Sequence, residues 1–114
     1  MNILGRKGWI LLQDLQKAGR HSDKAVVLER TLLEMQENSF AFSPEDRLGI
    51  AMVATTIFCN KNNPVYLRVA AVNIVGLVGP LGASNLLKVF TDEHNEKSPQ
   101  VRAAAQIAYH IANI

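Results

Sequence analysis

The side chains that could bind a metal ion are few in this chain and far apart in its sequence. The three histidines, His21, His94 and His110, share none of the spacings by which one helix or loop supplies two zinc ligands. His94 lies in an acidic turn, 92–96, that can hold a cation loosely, although such turns are usually just solvated. We therefore predict no metal site.

A nucleophilic or phosphate-binding centre is equally hard to assemble. The single cysteine, Cys59, lies in the apolar run 51–59 without a histidine nearby to activate it, so we interpret it as a small buried side chain. Gly76, Gly79 and Gly82 follow no predicted strand, which indicates helix-end residues and not a phosphate loop. No Ser–His–Asp set or carboxylate pair shares a helical face. The sequence predicts a protein that is not an enzyme and needs no cofactor.

Composition and charge favour a single helical domain over residues 1–114. Hydrophobic residues make up 48% of the chain, which argues against intrinsic disorder, and the aromatic share of 6% indicates an aliphatic core of closely packed helices. The formal net charge of +2 gives little support to nucleic-acid binding. No stretch approaches the roughly 18 apolar residues of a membrane span, and the apolar run 9–12 is too short for a signal peptide. We expect a cytoplasmic protein without membrane contact.

Three dipeptides, at 43–44, 63–64 and 98–99, mark the starts of helices. In each, a Ser or Asn that can cap a first helical turn is followed by a proline, which fits the first helical position. Ser22 is a weaker candidate for a fourth cap. Together with the apolar periodicity, these signals predict an all-α fold of about six helices in antiparallel pairs, over 9–17, 22–36, 44–59, 64–78, 82–90 and 99–114.

The apolar side chains of these segments are expected to face the core. For the helix over 22–36 the predicted amphipathic face is Val26, Val27, Arg30, Leu33 and Glu34. For the helix over 44–59 the predicted apolar positions are Leu48, Met52 and Ile57. Phe40 and Phe42 in the connector between these two helices, and Leu86, Leu87 and Phe90 in the short fifth helix, are also expected to contribute.

A repeat with a period of 34 residues relates the segments around Arg68 and Arg102. Each copy has a proline helix start, an apolar residue, the arginine, and small residues two and three positions later. These residues are Pro64, Leu67, Arg68, Ala70, Ala71, Gly76 and Gly79, and then Pro99, Val101, Arg102, Ala104 and Ala105. The pattern resembles HEAT-like (armadillo-like) repeats, especially the short variety of phycobiliprotein lyases and bacterial adaptor proteins, over about residues 64–114.

This resemblance implies a right-handed α–α superhelix in which neighbouring helix pairs bury each other's apolar faces. It also implies that Arg68 and Arg102 make contacts between repeats. In the second copy, His110 stands at the position that corresponds to Gly76 in the first copy. Residues 1–62 lack the signature, so repeats there are inferred from helix spacing alone.

The helix from Pro64 is apolar almost all round. Its predicted core stripe is Leu67, Ala70, Ala71, Ile74 and Val78, and a second apolar stripe is Val65, Val69, Val72 and Gly76. A helix that is hydrophobic on all sides is usually buried on all sides. Either this helix is the centre of the domain, or another chain covers part of its surface.

The last helix also has surplus apolar surface. Its predicted core face is Val101, Ala104, Ala105 and Ala108, and a further apolar side is formed by Ala103, Ile107, Ile111 and Ile114. Because solenoids need polar ends, either another subunit stacks on this helix or the chain is part of a longer array.

We therefore predict a non-catalytic protein–protein interaction module, such as an adaptor, chaperone or regulatory subunit, that binds another protein or itself. The residues expected to contact the partner are Val69, Asn73, Ile107, His110, Ile111 and Ile114. One alternative is a nucleic-acid-binding HEAT-like protein with Lys61, Arg68 and Arg102 as its basic track. Another, which rests on the resemblance alone, is a chromophore-lyase-like subunit.

Overall fold

The computed structural model describes residues 11, 13–38, 42–78 and 83–113, which form an all-α protein with no strand among them. Six helices pack against each other, as predicted. The first, α1, is described at residue 11 and over 13–17. The others are α2 (His21–Glu37), α3 (Pro44–Cys59), α4 (Val65–Val78), α5 (Ala83–Val89) and α6 (Pro99–Ala112). Predictions made for Trp9, Phe40, Gly79, Gly82 and Ile114 fall outside the described residues.

Helices α3 and α6 begin with the predicted serine caps. The Ser43 hydroxyl accepts a hydrogen bond from the Asp46 amide at 3.1 Å, and the Ser43 amide donates to the Asp46 carboxylate at 3.4 Å, which completes a capping box. The Ser98 hydroxyl accepts from the Val101 amide at 3.3 Å. In both helices a proline occupies the first turn, where its missing N–H leaves no bond unmade.

The other two predicted caps are wrong. The Asn63 side-chain amide donates to the Ile57 carbonyl oxygen at 2.9 Å, and α4 begins at Val65, so Pro64 precedes the helix. Asn63 thus satisfies a carbonyl in the last turn of α3, which also needs a partner. Ser22 lies inside α2, which begins one residue earlier without a side-chain cap.

Helix α4 is the centre of the domain and packs against α2, α3, α5 and α6. All five residues of its predicted core stripe are buried: Leu67, Ala70, Ala71, Ile74 and Val78. Val72 and Gly76 of the second stripe are buried as well, whereas Val69 is half-buried and Val65 is exposed. The explanation that this apolar helix is the centre of the domain is therefore confirmed over most of its surface.

The faces that α2 and α3 turn to the core differ from the predicted ones. Val26, Leu33, Leu48 and Met52 were expected in the core, and all four are exposed. Val27 of the predicted α2 face is buried as expected. The other buried apolar residues are Ala25, Leu28 and Met35 in α2, and Ile50, Ala51, Ala54 and Phe58 in α3. Both helices have apolar residues on more than one side, so sequence periodicity does not determine which face is buried. Packing against α4 determines it.

The short helix predicted over 82–90 is α5. Leu87 and Phe90 are buried and Leu86 is half-buried, as predicted, and the buried connector residue Phe42 is also confirmed. The Phe90 ring packs edge-to-face on Phe58 of α3, with ring centroids 5.0 Å apart. Across the described residues, no helix is both long and apolar enough to traverse a lipid bilayer.

Helices α4 and α6 approach each other very closely at Gly76. A Cβ atom at this position would lie 2.6 Å from the Cβ and 2.7 Å from the Cα of Ala108. Non-bonded carbon atoms prefer about 3.5–4.0 Å. The glycine lies in the last turn of α4, but it serves the packing of two helices and does not mark a helix end, as the sequence suggested.

Candidate protein-interaction surface

The last helix has one buried and one exposed apolar face. Its predicted core face, Val101, Ala104, Ala105 and Ala108, is buried. On the other side Ile107 and Ile111 are 62% and 43% exposed, and Ala103 is exposed one turn earlier. Residues four positions apart lie on one side of a helix, so these three side chains form a continuous apolar stripe, here called the α6 ridge. The predicted apolar surplus of α6 is thus confirmed at these residues.

A groove runs beside the α6 ridge, between α6 and α2, and has a volume of about 220 Å³. Its lining residues come from three helices: Leu32 and Gln36 of α2, Asn73 and Leu77 of α4, and Ile107, Ala108 and Ile111 of α6. Helices α2 and α6 both pack on α4, so the α4 residues form the floor of this α2–α6 groove. The close packing at Gly76 brings α6 near enough to α4 to form one wall.

The structure brings three of the six predicted contact residues, Asn73, Ile107 and Ile111, together in the α2–α6 groove. His110 is exposed on α6 but does not line the groove, and Val69 is half-buried on α4. Leu32, Gln36 and Leu77 were not predicted from the sequence. The apolar pattern could have suggested the two leucines, but only the packing of α2 on α4 places them opposite α6.

The described residues of the ridge and the groove carry no formal charge. Among them, no Asp, Glu, Lys or Arg lines the groove. The formally charged residue of α6, Arg102, donates hydrogen bonds from its guanidinium to the carbonyl oxygens of Glu96 and Lys97, at 2.8 and 3.1 Å. These bonds hold its charge at the N-terminal end of the helix. A partner that covers this surface would therefore contact mainly apolar and uncharged polar groups.

A buried ion pair between Arg68 of α4 and Glu96, in the loop before α6, fixes the position of α6. The guanidinium forms a double hydrogen bond with the carboxylate, one branch of which, from Nη1 to Oε2, is 3.0 Å long. Its Nε also donates to the Phe58 carbonyl oxygen at 2.8 Å. The Ser98 amide donates to the same carboxylate at 3.1 Å. The ion pair thus joins the end of α3, the start of α4 and the start of α6.

Both members of this pair are almost fully buried, with side chains only 4% and 3% exposed. The resemblance to HEAT-like repeats implied that Arg68 makes contacts between repeats; in the structure Arg68 binds Glu96, in the loop that precedes α6. Glu96 was predicted to lie in a solvated acidic turn, and that prediction is wrong. Nothing local distinguishes Glu96 from Glu93, because its burial depends on an arginine 28 residues earlier.

Acid should destabilise the protein through Glu96. Burial alone raises the pKa of this carboxyl, but the hydrogen bonds from Arg68 and the Ser98 amide, with the positive charges of Arg68 and Lys61, outweigh it and lower the pKa below the ordinary 4.5. Such a group stabilises the fold fully above its unfolded-state pKa and loses this contribution as pH falls through its folded-state pKa.

We therefore expect the free energy of unfolding, measured by urea titration, to decrease as the pH falls below about 4.5. The Glu96→Gln variant lacks the titrating group and should show a flatter pH profile. An equally steep acid loss in this variant would assign the effect to other carboxylates.

The described residues give little support to a reactive cysteine or a metal site. Cys59 is exposed at the end of α3, so its predicted burial is wrong. Partial desolvation still raises the pKa of its thiol above 9.0, although the Arg68 charge opposes this, and a protonated thiol is a poor nucleophile. His21, His94 and His110 are exposed, and the described residues contain no group of three or more His, Cys, Asp or Glu side chains arranged to hold a metal ion.

The three basic side chains of the track considered for nucleic-acid binding all bond to groups within the domain. Arg68 is buried against Glu96, and Arg102 is bonded to backbone carbonyl oxygens. The Lys61 ammonium donates to the Asn95 carbonyl oxygen at 2.6 Å. All three side chains join the loop 91–98 to the rest of the domain, so their positive charges help to hold this loop in place.

Two further cavities contain none of the predicted contact residues. The larger, about 390 Å³, lies between α1, α2 and α3 and is lined by Leu15, Gln16, Ala18, Lys24, Val53, Thr56 and Ile57. The other, about 360 Å³, is lined by Glu93, His94, Lys97 and Arg102. Its mixture of acidic and basic side chains favours neither an anion nor a cation.

Comparison with known proteins finds a distant similarity. No protein-family model matches this chain, and no solved structure matches it. The chain is 28% identical, over 94 residues, to the RecBCD enzyme subunit RecD of Buchnera aphidicola subsp. Schizaphis graminum (strain Sg). The match covers 72% of this chain but only 15% of RecD. It is thus a similarity between this helical domain and a small part of a much longer protein.

Proposed function

We propose that this chain is a non-catalytic protein–protein interaction module, such as an adaptor, chaperone or regulatory subunit. The observation that carries the proposal is the α6 ridge beside an uncharged groove on the same face. Fully burying an isoleucine side chain is worth about 1.5–3 kcal/mol. Ile107 and Ile111 are 62% and 43% exposed, so a partner that covers both can supply about 1.5–3 kcal/mol of further stabilisation.

Two further observations support this proposal. The matched protein is named as a subunit of the RecBCD enzyme, so a segment similar in sequence to this chain occurs in an enzyme subunit. The direct packing of α4 on α6, with Arg68 linking the two copies of the 34-residue repeat, fits the stacking of HEAT-like helix pairs. We further propose a cytoplasmic location, in keeping with the single cysteine.

Ile107→Glu should abolish partner capture without unfolding the protein. The position is 62% exposed, so a carboxylate there stays solvated in the free protein but would be buried without a counter-charge in a complex. We would immobilise the wild-type chain, expose it to lysate of the cells that produce it, and quantify the retained proteins by mass spectrometry. Proteins that bind the ridge should be depleted roughly tenfold or more with the variant.

Met52→Glu is the matched control, because Met52 is also 62% exposed but lies on α3, away from the ridge. It should retain the same proteins as the wild-type chain. Thermal unfolding of all three proteins checks that each is folded. Identical capture by all three would show that the α6 ridge is not an interaction surface.

A further inference from the structure

We propose that the partner covering the α6 ridge is a second copy of this chain, related to the first by a two-fold axis. This inference rests on the proposed function, because it names the occupant of the same surface. In the pair, the two α6 helices lie antiparallel, with the axis passing between Ile107 and Ile111. The ridge of each copy then points toward the α2–α6 groove of the other.

The ridge and the groove adjoin on one molecule, as a two-fold interface requires. Ile107 and Ile111 belong to the ridge and also form one wall of the groove, which Leu32 and Leu77 complete. A two-fold interface brings the same patch of both copies together, so a protrusion must meet a recess within that patch. Here the α6 ridge and the α2–α6 groove lie side by side, so rotation about the axis places the ridge of each copy opposite the groove of the other.

The charge distribution also suits self-pairing. A two-fold axis places groups near their own counterparts, so any charge close to it meets a like charge, which is unfavourable. The groove lining is uncharged, and Arg102 is held at the other end of α6.

The most exposed apolar side chains of α2 and α3 lack this combination. Val26 and Leu33 on α2 are interspersed with the exposed charged residues Glu29 and Arg30. Met52 on α3 is as exposed as Ile107 but lines none of the three cavities. An apolar protrusion with an adjoining uncharged recess is found on α6.

Sedimentation velocity over a concentration series tests the pairing directly. The wild-type chain should shift from monomer to dimer as its concentration rises toward about 1 mM. Ile107→Glu should raise the dissociation constant roughly tenfold or more, because it places two carboxylates near the axis. Met52→Glu should behave like the wild-type chain.

A second measurement avoids charged substitutions. It uses chains that carry Cys59→Ser, which removes the native thiol, and one new cysteine on α6. Chains carrying Ile107→Cys are mixed with chains carrying Ile111→Cys under mild oxidation. Antiparallel pairing brings position 107 of one copy near position 111 of the other, so the mixed disulfide should exceed either symmetric one. A disulfide needs Cα atoms about 4.4–6.8 Å apart, which makes this test sensitive to register.

Three outcomes would overturn the proposal: a wild-type chain that stays monomeric, a dimer unaffected by Ile107→Glu, or a dimer broken by Met52→Glu. A monomer that still captures a different protein through Ile107 would reject the second copy but leave the interaction function intact. A monomer that captures nothing would reject both.

Discussion

Glu96→Gln should lower the free energy of unfolding by about 3–5 kcal/mol, the usual result of breaking a buried ion pair by removing one partner. The substitution leaves the Arg68 guanidinium buried without a counter-charge, because its remaining acceptors, the Phe58 carbonyl oxygen and the carboxamide oxygen of the new glutamine, are neutral. Domains of this size are stable by only about 5–15 kcal/mol, so the variant should lose a large fraction of its stability. Urea unfolding at pH 7 measures the difference.

The chain contains its own control for this experiment. Arg30 and Asp14 form an ion pair of 3.2 Å in an exposed position, and Asp14→Asn should cost less than about 1 kcal/mol, since solvent screens such pairs. Replacing both buried partners, as in Arg68→Met with Glu96→Leu, should recover part of the loss because no charge remains buried. A cost for Glu96→Gln as small as that for Asp14→Asn would mean that the pair is solvated.

Gly76→Ala should destabilise the protein by about 1–3 kcal/mol, as overpacking of a core does. The added Cβ would meet the Cα of Ala108 at 2.7 Å, and backbone cannot move aside as the end of a flexible side chain can. The two helices must separate, and the groove wall formed by α6 moves with them. We therefore expect weaker partner capture through Ile107 in addition to a lower melting temperature.

Gly49→Ala is the matched control, because Gly49 also lies within a helix but has nothing within 4 Å of the new Cβ. It should stabilise the protein by up to about 1 kcal/mol through helix propensity. Combining Gly76→Ala with Ala108→Gly removes the clash with the side chain at position 108 but leaves the clash with its backbone, so it should restore only part of the loss. If both glycine variants were equally stable, the close approach of α4 and α6 would be disproved.

Local sequence determined where two helices begin and which class of fold the helices build. Ser43 and Ser98 cap the helices that follow them, because a serine hydroxyl can satisfy an amide three residues later without help from the rest of the chain. The core faces of α4 and α6 were also predictable. Their alanines and branched aliphatic residues follow the helical period, and these predicted residues are buried in the structure.

Tertiary structure decided the features that join distant segments. The faces of α2 and α3 were misassigned because both helices are apolar on more than one side, and only contact with α4 selects Leu28 and Phe58 over Leu33 and Met52. The burial of Glu96 and the need for glycine at position 76 likewise depend on Arg68 and Ala108, about 30 residues away in sequence.

The α6 ridge shows both contributions. The sequence alone determined that α6 has more apolar surface than one core face can use, because that surplus is a property of a single helix. Only the packing of three helices created the α2–α6 groove beside it, since its walls and floor come from segments with no common local signal. The sequence therefore predicted a surplus apolar face, and the tertiary structure decided which residues lie beside that face in the groove.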